Sequence, residues 1–261
     1  MTRKEEFNMT KVKNKKGPKI ILAVASLLVV TILSLSIVRI VKNNPPKHKD
    51  YAIYLYGEEH GVAKINKKEL ALWDDFYHKQ GMRHLFIESA YFDAAILNLW
   101  MQEEDDTRFE FLYDGWEGTL SHNKETRDFY FAFKESYPET IFHGTDVGHQ
   151  HERAGQYYLD YLIDNGLENT EAYTLTLESI AQGEEFTKTG DLKYRESKMV
   201  SNFIREFDAL DNEVIMGIYG SAHISKDFIA FFLGIEPMTI QLKKHYEPQN
   251  ILIYAKELTR L

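Results

Sequence analysis

Apolar residues along this chain fall into two kinds of pattern. The first is one unbroken run, IILAVASLLVVTILSLSIV at 20–38, nineteen residues without a charge. A bilayer core needs roughly 20 helical residues, so this run predicts a transmembrane helix. Pro18 suits its start, and Ile40 and Val41 extend it if Arg39 snorkels. The second pattern begins at Tyr51, where short apolar runs alternate with stretches of helical period. YAIYLYG (51–57), MRHLFIES (82–89), TIFHGTD (140–146), NEVIMGIYG (212–220) and ILIYAKEL (251–258) read as strands. Helices are predicted over 66–81, with Leu70, Trp73, Phe76 and Tyr77 on one face, and over 90–101, 124–137, 151–166 and 195–210, with another beginning at 224–233. Residues 102–123 read as a loop or insertion, and 167–191 as less regular. Strand–helix alternation predicts an α/β fold, a mixed or mostly parallel central sheet flanked by helices, preceded by one N-terminal transmembrane helix.

Charge orients this layout. Residues 1–49 carry a net +9 and residues 50–261 a net −18. Seven Lys/Arg precede the apolar run and four follow it, which places the N-terminus in the cytoplasm. A cleaved signal peptide is the competing reading. No small-x-small site follows the run, so an uncleaved signal-anchor is preferred. The expected organisation is a basic cytoplasmic arm (1–18), a single-pass anchor in the cell membrane (19–41), a tether (42–50) and an extracytoplasmic α/β domain (51–261). A nine-residue tether would keep the site near the bilayer, facing surface, envelope or extracellular substrates. The acidic domain makes nucleic acid a poor partner. The chain has no cysteine, which removes disulfides, thiolate nucleophiles and thiolate metal sites. Sixteen Tyr and sixteen Phe allow a substantial core.

Open α/β sheets place their chemistry at the carboxyl ends of strands. There the sequence offers Glu58, Glu59 and His60 in GEEHG, Glu88 after LFI, Asp146 and His149 in HGTDVGHQ, and Ser221 and His223 in GSAH. Glu and His pass protons near neutral pH once burial and neighbours tune them, and they also ligate divalent metals. Each has a plainer reading. Gly-x-x-His occurs four times, so only the strand-end position of the first and last gives them weight. Glu58 or Glu59 could be a helix-capping partner, His143 a packed strand residue, and His149 and His151 surface residues opening a helix. Glu88 adjoins buried surface, where an unpaired carboxylate would be costly. The helix at 195–210 carries Arg195, Met199, Asn202 and Glu206 on a face beside its apolar stripe. Arg195 could hold a substrate anion or orient a carboxylate; it could equally make a structural ion pair with Asp146 or Glu88, or face solvent. No GxGxxG, P-loop, HExxH or G-x-S-x-G motif is present.

GEEHG, IES, FHGTD, RESKMVSNF and IMGIYGSAH, in this order and strand context, resemble a superfamily. It contains erythromycin-esterase-like hydrolases, ChaN-type haem-binding lipoproteins and TraB/GumN/Tiki proteins. The resemblance spans roughly residues 51–225. Its branches imply different functions. The Tiki pattern implies a divalent metal held by His60, Glu88 and His223, and peptide hydrolysis. The esterase branch implies a water-activating site with His60 as base, Glu58 and Glu88 as its carboxylates and Arg195 as the helix arginine. The ChaN branch implies haem or metal binding at the surface, and a non-catalytic scaffold is a further alternative. The chain departs from the esterase pattern in its shorter first motif and in Glu196, where that branch usually has Asp. It also lacks the long helical inserts that shape a macrolide cleft. The expectation is a membrane-anchored hydrolase of a small ester or peptide. Its catalytic residues would be His60, Glu58, Glu88, His223 and Arg195, with Glu59, Asp146, His149 and Asn202 secondary, and a divalent metal, or else haem, as cofactor.

Overall fold

The computed structural model describes residues 51–211, 213–225 and 233–260. Its strands are β1 (Tyr51–Glu58), β2 (His84–Ala90), β3 (Ile141–Asp146), β4 (Ile215–Gly220) and β5 (Leu252–Glu257). They form one sheet in the order β3-β2-β4-β1-β5, and every pairing among them is parallel. All described strands therefore end on the same edge. β4, late in the sequence, inserts between β1 and β2. This insertion brings the residues that follow β1, β2 and β4 side by side.

Strand parity sorts the core onto two faces. Tyr54, Tyr56, Leu85, Ile87, Met216 and Ile218 face one layer, and Ile53, Leu55, Phe86, Ile215 and Tyr219 the other. The first face is covered by α1 (Ala63–Gln80), α2 (Tyr91–Trp100), α3 (Thr107–Gly115), α4 (Lys124–Ser136) and α5 (Gln156–Asp164). α1 buries Ile65, Leu72, Trp73, Phe76 and Tyr77, a stripe at helical spacing, and ends at Gly81 in the left-handed conformation (φ 73°). The second face is covered by α7 (Leu192–Asp208), which buries Met199, Val200, Phe203 and Phe207, and by α8 (Met238–Tyr246).

Two segments are more regular than their sequence suggests. Residues 102–123 contain α3. Residues 167–191 contain α6 (Glu171–Thr189), capped by Thr170, whose side chain accepts from the Tyr173 N–H, and stopped at Gly190 (φ 61°). The buried side of α6 is Thr176, Ser179, Gln182 and Gly183, small and polar, so no apolar period announces it. Gly183 is there for proximity: a Cβ would lie 1.9 Å from the Gly148 carbonyl oxygen. α6 thus packs backbone to backbone on the loop that carries His149.

Among the described residues no helix is long and apolar enough to cross a membrane. This corrects the expectation of a transmembrane helix ahead of the domain. The longest described helices, α1 and α6, bury one side and carry charged residues such as Lys67 and Glu184 on the other. The apolar run at 20–38 and the arm, anchor and tether assigned to 1–50 lie outside the described residues, as does most of the helix expected at 224–233. The membrane anchor, the membrane as partner and the single-pass localisation rested on that helix, and are withdrawn with it.

Candidate active site

Glu88 lies on the strand-end edge between the ends of β3 and β4, because β2 neighbours both. Its side chain is buried and fully engaged. Oε2 accepts the Gly220 N–H (2.6 Å), and Oε1 accepts Arg195 Nη2 (2.7 Å). His223 Nε2 stands 3.3 Å from Oε1, and His60 Nε2 stands 3.8 Å from Oε2. Burial alone would raise the carboxyl's pKa, but His223, Arg195 and His60 outweigh it and hold Glu88 well below the usual carboxylate range.

His60 reaches this place through a tight turn. β1 ends at Glu58, and Gly61 takes a left-handed φ of 69° that folds the chain back. Nδ1 is hydrogen-bonded to Glu58 Oε1 at 2.8 Å, leaving Nε2 toward Glu88 and the cavity. The Glu58 bond is the main cause that raises the His60 pKa to about 9, against the opposing effect of burial. Gly220 permits the approach, since a Cβ there would lie 3.2 Å from both Glu88 Oε2 and His60 Nε2.

His223 lies on the helical turn Ser221–Ile224 directly after β4. Burial lowers its pKa, but Glu196 (Nδ1···Oε2, 2.6 Å) and Glu88 raise it to about 10. Glu196 also accepts the Met238 N–H at 2.5 Å, so it ties His223 to the start of α8. Arg195 bridges Glu88 and Asp146: Nε donates to Asp146 Oδ1 (2.9 Å), and Nη2 to Asp146 Oδ2 (2.5 Å) and Glu88. Asp146 also accepts the Val147 N–H and pairs with His149 Nε2 at 3.1 Å.

The remaining candidates sort by place. Glu59 is exposed and paired with Arg260 (2.8 Å), outside the cluster. Asn202 is buried but exchanges hydrogen bonds with Gln182 and donates to the Thr145 carbonyl, which packs α7 against α6 and β3. His143 sits apart, between Glu206 (3.2 Å) and His84 (2.9 Å) and stacked on Phe86.

A cavity of about 220 Å³ opens beside His60, lined by Glu58, His60 and Glu88 and walled by Trp116, Phe129 and Tyr130. Arg195 and His223 do not line it; they reach it only through Glu88. Two lining residues carried no signal in the strand-end reading, Glu69 and Asp93. Glu69 is 1% exposed, and Asp93 is 6% exposed. Glu69 sits on the buried stripe of α1, four residues after Ile65 and three before Leu72, and that spacing is the sign that could have marked it. Its pKa is raised well above the usual value, first by burial and then by Glu58. Burial likewise lifts Asp93 to about 7.

The sequence expected His60, Glu88 and His223 as a metal set. Among the described residues no group of three or more His, Asp or Glu side chains is arranged to hold a metal ion. The guanidinium of Arg195 is bound to Glu88, and His60 and His223 each give one ring nitrogen to a glutamate.

No protein-family model matches the chain, and no curated protein matches it. Solved structures do. One is a mutant erythromycin esterase in its open conformation, with TM-score 0.54 and 15% identity over 76% of this chain and 68% of that one. This chain has an erythromycin-esterase-like fold. A succinoglycan biosynthesis protein matches with TM-score 0.57 and 14% identity, over 78% of this chain and 65% of that one. A protein from Bacillus cereus matches with TM-score 0.50 and 11% identity, over 76% and 64%. The chain spans about two thirds of the length of each. At these identities the likeness concerns the fold.

Proposed function

We propose that this site hydrolyses an ester by general-base activation of water, with His60 as the proton acceptor. The observation that carries the reading is the clamp on His60: Glu58 fixes Nδ1 at 2.8 Å and leaves Nε2 facing a cavity beside Glu88. Glu58 orients the ring and stabilises the imidazolium that forms. Water attacks the ester carbonyl carbon and its proton passes to Nε2. The tetrahedral intermediate then expels the alcohol oxygen, which takes that proton back, leaving acid and alcohol. Arg195 and Gly220 each occupy one acceptor site of Glu88, which leaves its oxygens able to position the attacking water, while its lowered pKa makes it a poor acceptor of the proton itself. Arg195 and His223 act by holding Glu88. The fold likeness to an erythromycin esterase adds support for hydrolysis.

The test is hydrolysis of a panel of short-chain aryl and alkyl esters by the full-length protein and by His60→Ala and Glu58→Gln. Loss of a general base costs about 10²–10⁴-fold in rate. Undiminished turnover in His60→Ala, or no turnover of any ester by the wild type, would refute the reading.

A further inference from the structure

Four carboxyl groups line the cavity, and their partners are unequal. Glu58 is bound to His60, and Glu88 to Arg195 and the Gly220 N–H. Glu69 and Asp93 are more deeply placed; Glu69 shares a hydrogen bond with Glu58 and Asp93 Oδ2 accepts the Ala90 N–H at 3.4 Å, yet Glu69 Oε1 and Asp93 Oδ1 have no hydrogen-bond partner. No Lys or Arg is among the described residues that line this space. Buried carboxyls left so are costly unless a partner arrives.

The partner's chemistry follows from what the wall lacks. An anion would face four carboxyl groups, and the cation beside them, the His60 imidazolium, is already held by Glu58 and Glu88. An alcohol brings one donor and no charge. An ammonium brings positive charge and up to three N–H donors, enough for both open oxygens. The aromatic side formed by Trp116, Phe129 and Tyr130 suits the same group, because ring faces attract cations and pack against methylenes. About 220 Å³ is below the roughly 300–1,000 Å³ of sites for drug-sized molecules, so the space fits a head group of a few carbons.

We propose that this cavity binds a small organic ammonium group through Glu69 and Asp93, and that the ester cleaved beside it carries an amine. The second half rests on the hydrolase reading; the first does not. The raised pKa values of both acids express the same deficit, which a bound cation removes by favouring their ionised forms.

The binding half is tested at pH 8 on the full-length protein by thermal unfolding with propylammonium, 1-propanol or propionate. Propylammonium should raise Tm saturably while the other two do not. Glu69→Gln and Asp93→Asn should each weaken this by about tenfold or more, as for loss of a charged hydrogen bond. The isosteric Glu69→Gln decides alone if Asp93→Asn fails to fold. Glu59→Gln, outside the cavity, should match the wild type, and His60→Ala should still bind propylammonium. Equal stabilisation by 1-propanol would assign the cavity to hydroxyl groups and overturn the proposal. So would no saturable shift, or an unchanged shift in Glu69→Gln. The substrate half is tested with an aminoalkyl ester and its uncharged isostere. Preference for the former, lost in Glu69→Gln, is expected. No preference overturns that half alone. Hydrolysis of neither ester overturns it together with the hydrolase reading, and leaves ammonium binding standing.

Discussion

Arg195 Nη2 stands 2.7 Å from Glu88 Oε1, across the sheet edge from a helix to a strand end 107 residues away in sequence. The same guanidinium forks onto Asp146, so one cation serves two buried carboxylates. Removing it leaves both unpaired. Arg195→Leu should therefore lower unfolding free energy by about 3–5 kcal/mol, the cost of breaking a buried pair from one side. Urea unfolding followed by circular dichroism measures this. Arg195→Lys should recover only part, since an ammonium cannot make the bidentate fork. A loss under about 1 kcal/mol in Arg195→Leu would show the pair to be surface-like.

The pH dependence of the site follows from His60. With its pKa near 9, only about 1% is free base at pH 7, so hydrolysis should rise with pH and level off above about 9. Glu58→Gln removes the largest cause of the rise, and the limb should move down by roughly one to three units. Stability runs the other way. A histidine raised above its unfolded value of 6.5 stabilises the fold fully below that pH and loses its contribution as pH climbs through the folded value. With His60 near 9 and His223 near 10, unfolding free energy should decline between pH 7 and pH 10. A pH–rate profile and urea titrations at stepped pH check both slopes.

Gly183 and Gly190 allow a steric effect to be told from a conformational one. At Gly183 a Cβ would strike the Gly148 carbonyl at 1.9 Å, and backbone cannot yield cheaply. Gly183→Ala should push α6 off the loop, cost at least about 1–3 kcal/mol and shift the His149 resonances. Gly190 has open space around it and a φ of 61°, so Gly190→Ala should cost about 1–2 kcal/mol of backbone strain and leave His149 unmoved. Thermal melts with imidazole NMR separate the two cases.

What the sequence disclosed depended on whether burial was apolar. β1, β2 and β4 are runs of large apolar residues bounded by glycine or acid, so their ends, and with them Glu58, Glu88 and His223, could be placed. α7 showed itself through Val200, Phe203 and Phe207. α6 buries Thr176, Ser179 and Gln182 and did not. Strand order was equally hidden, because nothing local states that β4 inserts between β1 and β2. The role of Arg195 stood open between site and ion pair for that reason. Glu69 and Asp93 were missed because an acid on an amphipathic helix ordinarily faces water; here each lies on the buried side.

Asp93 offers a test that needs no substrate. Its folded pKa, lifted by burial to about 7, exceeds the unfolded value near 3.8. The folded state therefore takes up a proton that the unfolded state has released, and the penalty grows as pH rises from about 4 to 7, then stays constant. Asp93→Asn cannot ionise and should escape that penalty. At pH 8 it should be more stable than the wild type by about 1–3 kcal/mol, the remainder of a three-unit shift being offset by the amide's own unmet hydrogen bond. At pH 4 the two should be nearly equal. Chemical unfolding at both pH values decides. A variant less stable than the wild type at pH 8 would mean that Asp93 is ionised and satisfied in the folded protein, which the unpartnered Oδ1 argues against.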